Sequence, residues 1–387
     1  MPRTPAPPAA AHALLRLLAA GVRPAPLRRL LDSHGDAAAV LAAGPRDWAS
    51  HGLDAEACRA LRRPDPARLA RGEAWLAEPG HHLLGWRDPD YPPLLRRIPG
   101  PPPALFVAGD PALLWRPALA IVGSRAATAG GRAHAARFAR ALAATGLAIA
   151  SGLAAGIDAA AHQATLDAGG VTLAVLGTGP DRAYPPRHAG LQARIAATGA
   201  VVSEHLPGTG ARAAHFPARN RILAGLALGV LVVEAAARSG ALITARLAAE
   251  AGREVFALPG SIDNPQARGC HRLLRDGAGL VEAPEEIVEA LAPAVRALAA
   301  QLKGELQPGG LAAAAPPPGP PAPAGGPSEP DADHQRLWQA LGHDPTAMDE
   351  LLERSGLTPA RASSILLALE LEGRVASAHG RYSRIGV

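Results

Sequence analysis

The sequence has two cysteines, one lysine and no long apolar run. Cys58 and Cys270 are the only cysteines among 387 residues, so neither a disulfide framework nor a cysteine zinc set can be built. A reducing cytoplasm is the setting that this suggests. No apolar stretch reaches membrane-spanning length, because Glu234 interrupts the best candidate. Arg16 breaks the N-terminal apolar stretch, and no secretory leader is read there. Also missing are the G-x-x-x-x-G-K-[ST] of P-loop NTPases, the G-x-S-x-G of serine hydrolases and the H-E-x-x-H of zincins. Histidines and acids form no ligand-spaced cluster along the chain, so no metal centre is expected.

What is present is arginine. Lys303 is the only lysine, so arginine carries nearly all of the basic charge behind a net +5 and a pI of about 9.9. The excess is uneven. Residues 118–281 hold 16 Arg against 9 acids, whereas residues 331–387 hold 6 Arg against 8 acids. An anionic partner therefore belongs to the middle of the chain.

Composition divides the chain into five parts. Residues 1–10 are rich in Pro and Ala and read as disordered. Residues 11–80 read as short helices around a Gly21-Val22-Arg23-Pro24 turn. That turn resembles a helix-hairpin-helix loop, but Arg23 stands where its second glycine belongs, which favours a small packing domain. Residues 81–303 form the main domain, entered through a proline-dense segment in which Leu105 to Val107 is expected as an edge strand. Residues 304–332 are a Pro/Ala/Gly linker, expected to be disordered. Residues 333–387 read as three helices and a hairpin broken at His379-Gly380, which is a winged helix.

From Ala118 the pattern alternates. Strands are predicted at 118–122, 147–150, 171–176, 200–203, 229–234, 254–258 and 279–281, with helices at 130–145, 156–168, 188–198, 219–227, 241–251 and 267–275. Continuous apolar strands separated by helices imply a Rossmann-like, doubly wound, mostly parallel sheet. Right-handed crossovers then gather the loops after the strands along one edge.

Small and basic residues collect at those loops. Gly123, Ser124 and Arg125 follow the first strand of this series, and Gly123 lets the backbone turn and present amides to an anion. Ser151 and Gly152 end the second strand. Asp158 and His162 follow, and read as a helix-start acid and a helix hydrogen-bonder. Asp181 and Tyr184, beyond Gly177-Thr178-Gly179, either line a cleft or cap the loop. Arg212, Phe216, Arg219, Asn220 and Arg221 combine arginine with an aromatic ring, which suits backbone and base contacts with a single strand. Arg219 and Arg221 can equally pair with Glu204 or Glu234 and hold the fold, and Asn220 can cap its helix. Ser239 and Gly240 open the next helix.

Taken in order, these motifs resemble the DNA-processing protein A family (DprA, also called Smf). The resemblance covers about residues 88–282 and rests on Asp-Pro-Asp-Tyr-Pro-Pro, Val-Gly-Ser-Arg, Ser-Gly-Leu-Ala-Ala-Gly-Ile-Asp, Phe-Pro-Ala-Arg-Asn-Arg-Ile-Leu-Ala-Gly-Leu and Arg-Ser-Gly-Ala-Leu-Ile-Thr-Ala. It implies a Rossmann-like domain that binds single-stranded DNA, protects it during natural transformation, loads the RecA recombinase and forms a homodimer. No catalysis, metal or nucleotide cofactor is implied. The implied DNA contacts are Gly123, Ser124, Arg125, Ser151, Gly152, Arg212, Phe216, Arg219, Asn220, Arg221, Ser239 and Gly240. His271 stands where many members have Asn. The alternative is an enzyme resembling lonely-guy phosphoribohydrolases. Their P-G-G-x-G-T-x-x-E loop corresponds to residues 238–245, where the glutamate is missing.

Overall fold

The computed structural model describes residues 8–306, 332–341, 346–357, 362, 365–366, 369, 375–378 and 381–384. The chain divides into two units, residues 1–310 and 311–387. The first begins with six helices: α1 (Pro8–Ala19), α2 (Pro24–His34), α3 (Ala37–Ala43), α4 (Pro45–Ser50), α5 (Ala55–Arg62) and α6 (Pro66–Leu76). Asp36, Asp54 and Asp65 cap α3, α5 and α6 by accepting from backbone amides, and Pro at the first turn of α2, α4 and α6 fits where no amide partner is needed. Helix α1 starts at Pro8, inside the stretch 1–10 expected to be disordered. Residues 1–7 and most of the expected linker lie outside the described residues.

A nine-stranded sheet follows. Strands β1 (His81–Gly85) and β2 (Ala104–Gly109) flank the short α7 (Pro93–Arg96). Then come β3 (Ala118–Val122), α8 (Ala129–Ala144), β4 (Ala148–Ser151), α9 (Ile157–Asp167), β5 (Thr172–Leu176), α10 (Ala189–Thr198) and β6 (Ala200–Ser203). The chain continues through α11 (His215–Leu226), β7 (Gly229–Val232), α12 (Gly240–Glu250), β8 (Glu254–Ala257), α13 (Arg268–Arg275), β9 (Gly279–Leu280) and α14 (Pro284–Leu306). The order is β1-β2-β6-β5-β4-β3-β7-β8-β9. Strands β3 to β9 pair in parallel, while β2 runs antiparallel to both β1 and β6. The expected edge strand at Leu105–Val107 is therefore second from the edge, because β1 covers it.

Alternation along β3 explains the layers. Ala118, Ala120 and Val122 face a core with α11, α12 and Cys270 of α13, while Leu119 and Ile121 face one with α8, α9 and α14. The N-terminal helices pack over Phe106, Ala174, Leu176 and Val201, so they share a core with the β2–β6–β5 part of the sheet. Trp75 of α6 meets Phe106 edge-on at 5.8 Å.

The second unit contains α15 (Ala332–Ala340), β10 (Thr346–Ala347), α16 (Met348–Ser355), β11 (Val375–Ala378) and β12 (Arg381–Arg384). Gly356 closes α16 in the left-handed region at φ 66°. Ala362, Ile365, Leu366 and Leu369 are helical and buried with Leu337, Leu341 and Leu351. Strand β12 pairs antiparallel with both β10 and β11. This is a winged helix with a three-stranded sheet. The expected helix start at Thr358-Pro359 and the hairpin tip lie outside the described residues.

Candidate functional site

The order of the sheet reverses at β3. The chain runs outward from β3 through β4, β5 and β6, then returns to place β7 and β8 on the other side. In such sheets the loops leaving the two neighbouring strands separate, and a crevice opens beyond their carboxyl ends. An open cleft of about 710 Å³ lies there, lined by the loops after β3 and β7 and by the starts of α11 and α12.

Close backbone packing shapes its floor. A Cβ on Gly123 would stand 2.6 Å from Ile157 Cγ1 and 2.8 Å from the Glu234 carbonyl, so the β3–α8 turn tolerates no side chain there. The Ser124 amide donates to the Glu234 carbonyl at 2.6 Å. The Glu234 carboxylate accepts from Thr128 N at 2.9 Å and from Thr128 Oγ1 at 2.6 Å, which pins the start of α8. Glu234 is thus committed to the fold and pairs with no arginine among the described residues. Gly156, at φ 82°, lies so close to Ser124 that a Cβ would collide with its carbonyl.

Helix α11 supplies the aromatic and basic wall. Phe216, Arg219, Asn220 and Leu223 recur at i, i+3, i+4 and i+7, so one helical face turns all four to the cleft. The Arg125 guanidinium stands 5.4 Å from the Phe216 ring centroid, a cation–π contact. Tyr184, 41% exposed, tilts against Phe216 at 5.0 Å between centroids. A smaller hollow of about 250 Å³ adjoins the cleft and shares Arg125, Tyr184, Phe216 and Arg219 with it, adding Gly152 and Arg187.

Arg219 and Asp158 are the buried charged residues of the same cleft. Arg219 is 4% exposed and donates to the Gly152 carbonyl at 2.9 Å. Burial lowers its pKa to about 10, with Asp158 opposing and Arg125 adding to the fall. Burial raises the Asp158 pKa, against Arg219 and the amides of Ala154 and Gly152, which donate to its Oδ2 at 3.3 and 3.1 Å. Asp158 is the only acid among the described residues lining the cleft.

The exposed arginines are different. Arg125, Arg212 and Arg238 line the cleft, and none of them has a side-chain hydrogen bond or ion pair among the described residues. Ser239 caps α12, with its Oγ 3.3 Å from the Ala241 amide, and Gly240 lies open beside it. Asn220 reaches the Gly240 carbonyl at 3.4 Å and accepts from Arg219 Nε, so it bridges helices rather than capping its own.

The fold gathers Gly123, Ser124, Arg125, Arg212, Phe216, Arg219, Asn220, Ser239 and Gly240 around the cleft. It places Gly152 in the adjoining hollow and the other two expected residues elsewhere. Ser151 is fully buried, and its hydroxyl donates to the Ile121 carbonyl at 2.6 Å. Arg221 points to the other side of α11, where it forms a bidentate pair with Glu204 at 2.8 and 2.6 Å and donates to Gly100 O at 2.9 Å. Arg238 and Arg187 are cleft and hollow residues absent from the expected set, as is Tyr184, which sequence left between lining and capping. Arg238 adjoins the Ser239-Gly240 helix start, which was the available signal. His162 is buried, donates from Nδ1 to Thr172 Oγ1 at 2.7 Å while that hydroxyl donates to the Ile149 carbonyl, and does not line the cleft.

Comparison with known proteins identifies the family. A family model described as DNA recombination-mediator protein A matches residues 82–292, and one described as DprA winged helix domain matches residues 315–381. The chain is 42% identical over 317 residues to Protein Smf of Escherichia coli, covering 80% of this chain and 79% of that protein. It is 47% identical over 201 residues to DNA processing protein DprA of Streptococcus pneumoniae, covering 52% of this chain and 71% of the relative. The X-ray structure of DNA processing protein A from Streptococcus pneumoniae matches with a TM-score of 0.65 at 37% identity, over 72% of this chain and 97% of that one.

Proposed function

This chain belongs to the DNA recombination-mediator protein A family, and on that premise we propose that its cleft holds single-stranded DNA. The observation that carries the reading is the set of exposed arginines, Arg125, Arg212 and Arg238, which have no side-chain hydrogen bond or ion pair among the described residues and line the cleft with the Tyr184–Phe216 ring pair. Free guanidinium groups take phosphates. The exposed ring of Tyr184 suits stacking on a base that a duplex would keep covered. The start of α12 adds amides and a positive dipole end beside Gly240.

Binding without catalysis is the role that the side chains support. Asp158 is buried and engaged by two amides, so the cleft offers no free carboxylate to act as acid or base. Residues 238–245 carry no glutamate, which weighs against phosphoribosyl hydrolysis. No cofactor is needed. The protein then protects incoming strands in the cytoplasm during natural transformation and hands them to RecA, as its family resemblance implies. No helix among the described residues is long and apolar enough to cross a membrane.

A homodimer completes the reading. Strand β9 ends the sheet with an unpaired edge, and Leu280 on it is 54% exposed. A groove of about 680 Å³ beside it is lined by Leu242, Ile243, Val255 and Leu273 together with Arg246, Arg253, Glu254 and Arg272, a mixed surface that a second copy would cover.

The test is anisotropy of labelled single-stranded and duplex oligonucleotides at several salt concentrations. Three arginine–phosphate contacts give a log–log salt slope of about −2 on single strands. Tighter binding of the single strand with that slope supports the proposal. Equal duplex binding, or a flat salt response, refutes it. RecA assembly on a protein-coated single strand, timed with and without this chain, tests the hand-over separately, and an unchanged lag refutes that part.

A further inference from the structure

Far from the DNA cleft, the N-terminal helices bring three ligand-type side chains together. Helix α2 ends at His34, while Asp47 in α4 precedes that helix's C-cap, His51, by four residues. Residues four apart share a helical face. The short α3 links α2 to α4, and the chain returns so that His34 meets that face. His34 Nε2 lies 2.7 Å from Asp47 Oδ2, and His51 Nδ1 lies 3.5 Å from the same oxygen. One donor atom of each residue lies within 4.8 Å of the other two. None of the three lines the DNA cleft.

We infer that His34, Asp47 and His51 form a binding site for a divalent transition metal of the Zn²⁺ class. The ligands are His34 Nε2, a carboxylate oxygen of Asp47 and His51 Nδ1, with water completing the shell. Zinc bonds of about 2.0–2.1 Å in a tetrahedron put neighbouring donors roughly 3.3 Å apart. The 2.7 and 3.5 Å separations bracket that spacing, so small side-chain shifts admit the ion. Two imidazoles and one carboxylate suit zinc, nickel or copper, whereas magnesium and calcium take oxygen ligands. The side chains of His34, Asp47 and His51 are 22%, 32% and 22% exposed, so the ion has an entry path and room for water.

The surroundings provide the support that a ligating histidine uses. Ser33 Oγ lies 3.0 Å from His51 Nε2, the nitrogen left free by coordination through Nδ1. Without the ion, Nδ1 sits 2.9 Å from the Asp47 carbonyl and carries the ring proton there. Coordination moves that proton to Nε2, where Ser33 Oγ accepts it. The linear sequence shows no ligand pattern because twelve residues separate His34 from Asp47; the fold assembles the set. The bound ion ties the end of α2 to α4.

The experiment uses the full chain and Zn²⁺ alone, in competition with a chromophoric chelator, with Co²⁺ as a visible-absorption probe. Binding of one equivalent is expected, with affinity falling in acid because protons compete with the ion for its ligands. His34→Ala and His51→Ala are each expected to weaken binding at least tenfold, while His134→Ala, at an exposed site elsewhere, leaves it unchanged. Asp47→Asn, close in shape, guards against a folding defect: it should keep the circular dichroism of the parent and lose the cobalt spectrum. Absence of stoichiometric binding by the parent chain overturns the inference. So does binding that survives in the folded His34→Ala/His51→Ala double variant.

Discussion

Helix α11 presents arginine on two faces, and the two faces do different things. On the cleft side Arg219 lies buried beside Asp158, under the ring of Phe216 that Arg125 covers. On the far side Arg221 is held by Glu204 and by the Gly100 carbonyl. Both arginines belong to one Phe-Pro-Ala-Arg-Asn-Arg motif, only two residues apart. The comparison separates arginines that build the site from arginines that remain free to use it. Arg219 and Arg221 are committed to protein hydrogen bonds, whereas Arg125, Arg212 and Arg238 are exposed and have no side-chain hydrogen bond or ion pair among the described residues.

The largest expected effect breaks the buried side. Arg219→Ala leaves Asp158 buried without its countercharge and should cost about 3–5 kcal/mol in urea unfolding. Removing Asp158 as well should recover part of that loss. A single variant as stable as the parent would break the assignment of Arg219 to the fold.

Next comes the free side. Arg125→Ala combined with Arg212→Ala should weaken single-strand binding about 100-fold, or about 2.7 kcal/mol, by anisotropy. Unfolding free energy should stay within about 0.5 kcal/mol of the parent. The far face is expected to invert that result. Arg221→Ala should cost about 2 kcal/mol of stability, through the lost bidentate pair, and leave the intrinsic DNA affinity of the folded protein unchanged.

A further effect concerns buried imidazoles. Burial lowers His162 to about 3 and His205 to about 4, from an ordinary 6.5. Between those values the unfolded chain binds more protons than the folded one. Stability is therefore full above about pH 6.5 and is lost as pH falls toward 4 and 3. Each group contributes up to about 1.4 kcal/mol per pH unit, less for the partly buried His205. Urea midpoints at pH 5 and 7 for the parent and His162→Gln measure it, and equal slopes would contradict the buried neutral state.

Much of the sheet was legible in the sequence because both of its faces are covered. Strands β3 to β8 are continuous apolar runs, and the expected ranges fall within two residues of those observed. Strand β1 was not legible: His81-His82-Leu83-Leu84-Gly85 pairs polar and apolar residues without alternation, and its partner β2 was taken for the edge. Helix α11 begins four residues before the expected 219, because Pro217 reads as a breaker yet is tolerated in a first turn. In the site, residue types were legible and directions were not. The pleat turns Ser151 inward, and helical phase turns Arg221 away from Phe216 and Asn220. A 3.6-residue count along the motif would have separated Arg219 from Arg221. The Glu204 that takes Arg221 is seventeen residues away, and only the fold shows it.

The most direct measurement is a parallel salt titration of single-strand binding by the parent, Arg125→Ala and Arg221→Ala. Loss of one phosphate contact should reduce the magnitude of the log–log salt slope by about 0.7. That reduction is expected for Arg125→Ala, with weaker binding of unrelated strands alike, while Arg221→Ala keeps the parent's slope and affinity. An unaltered Arg125→Ala, or a slope lost in Arg221→Ala instead, would contradict the claim that the partner-free arginines of the switch-point cleft hold the strand.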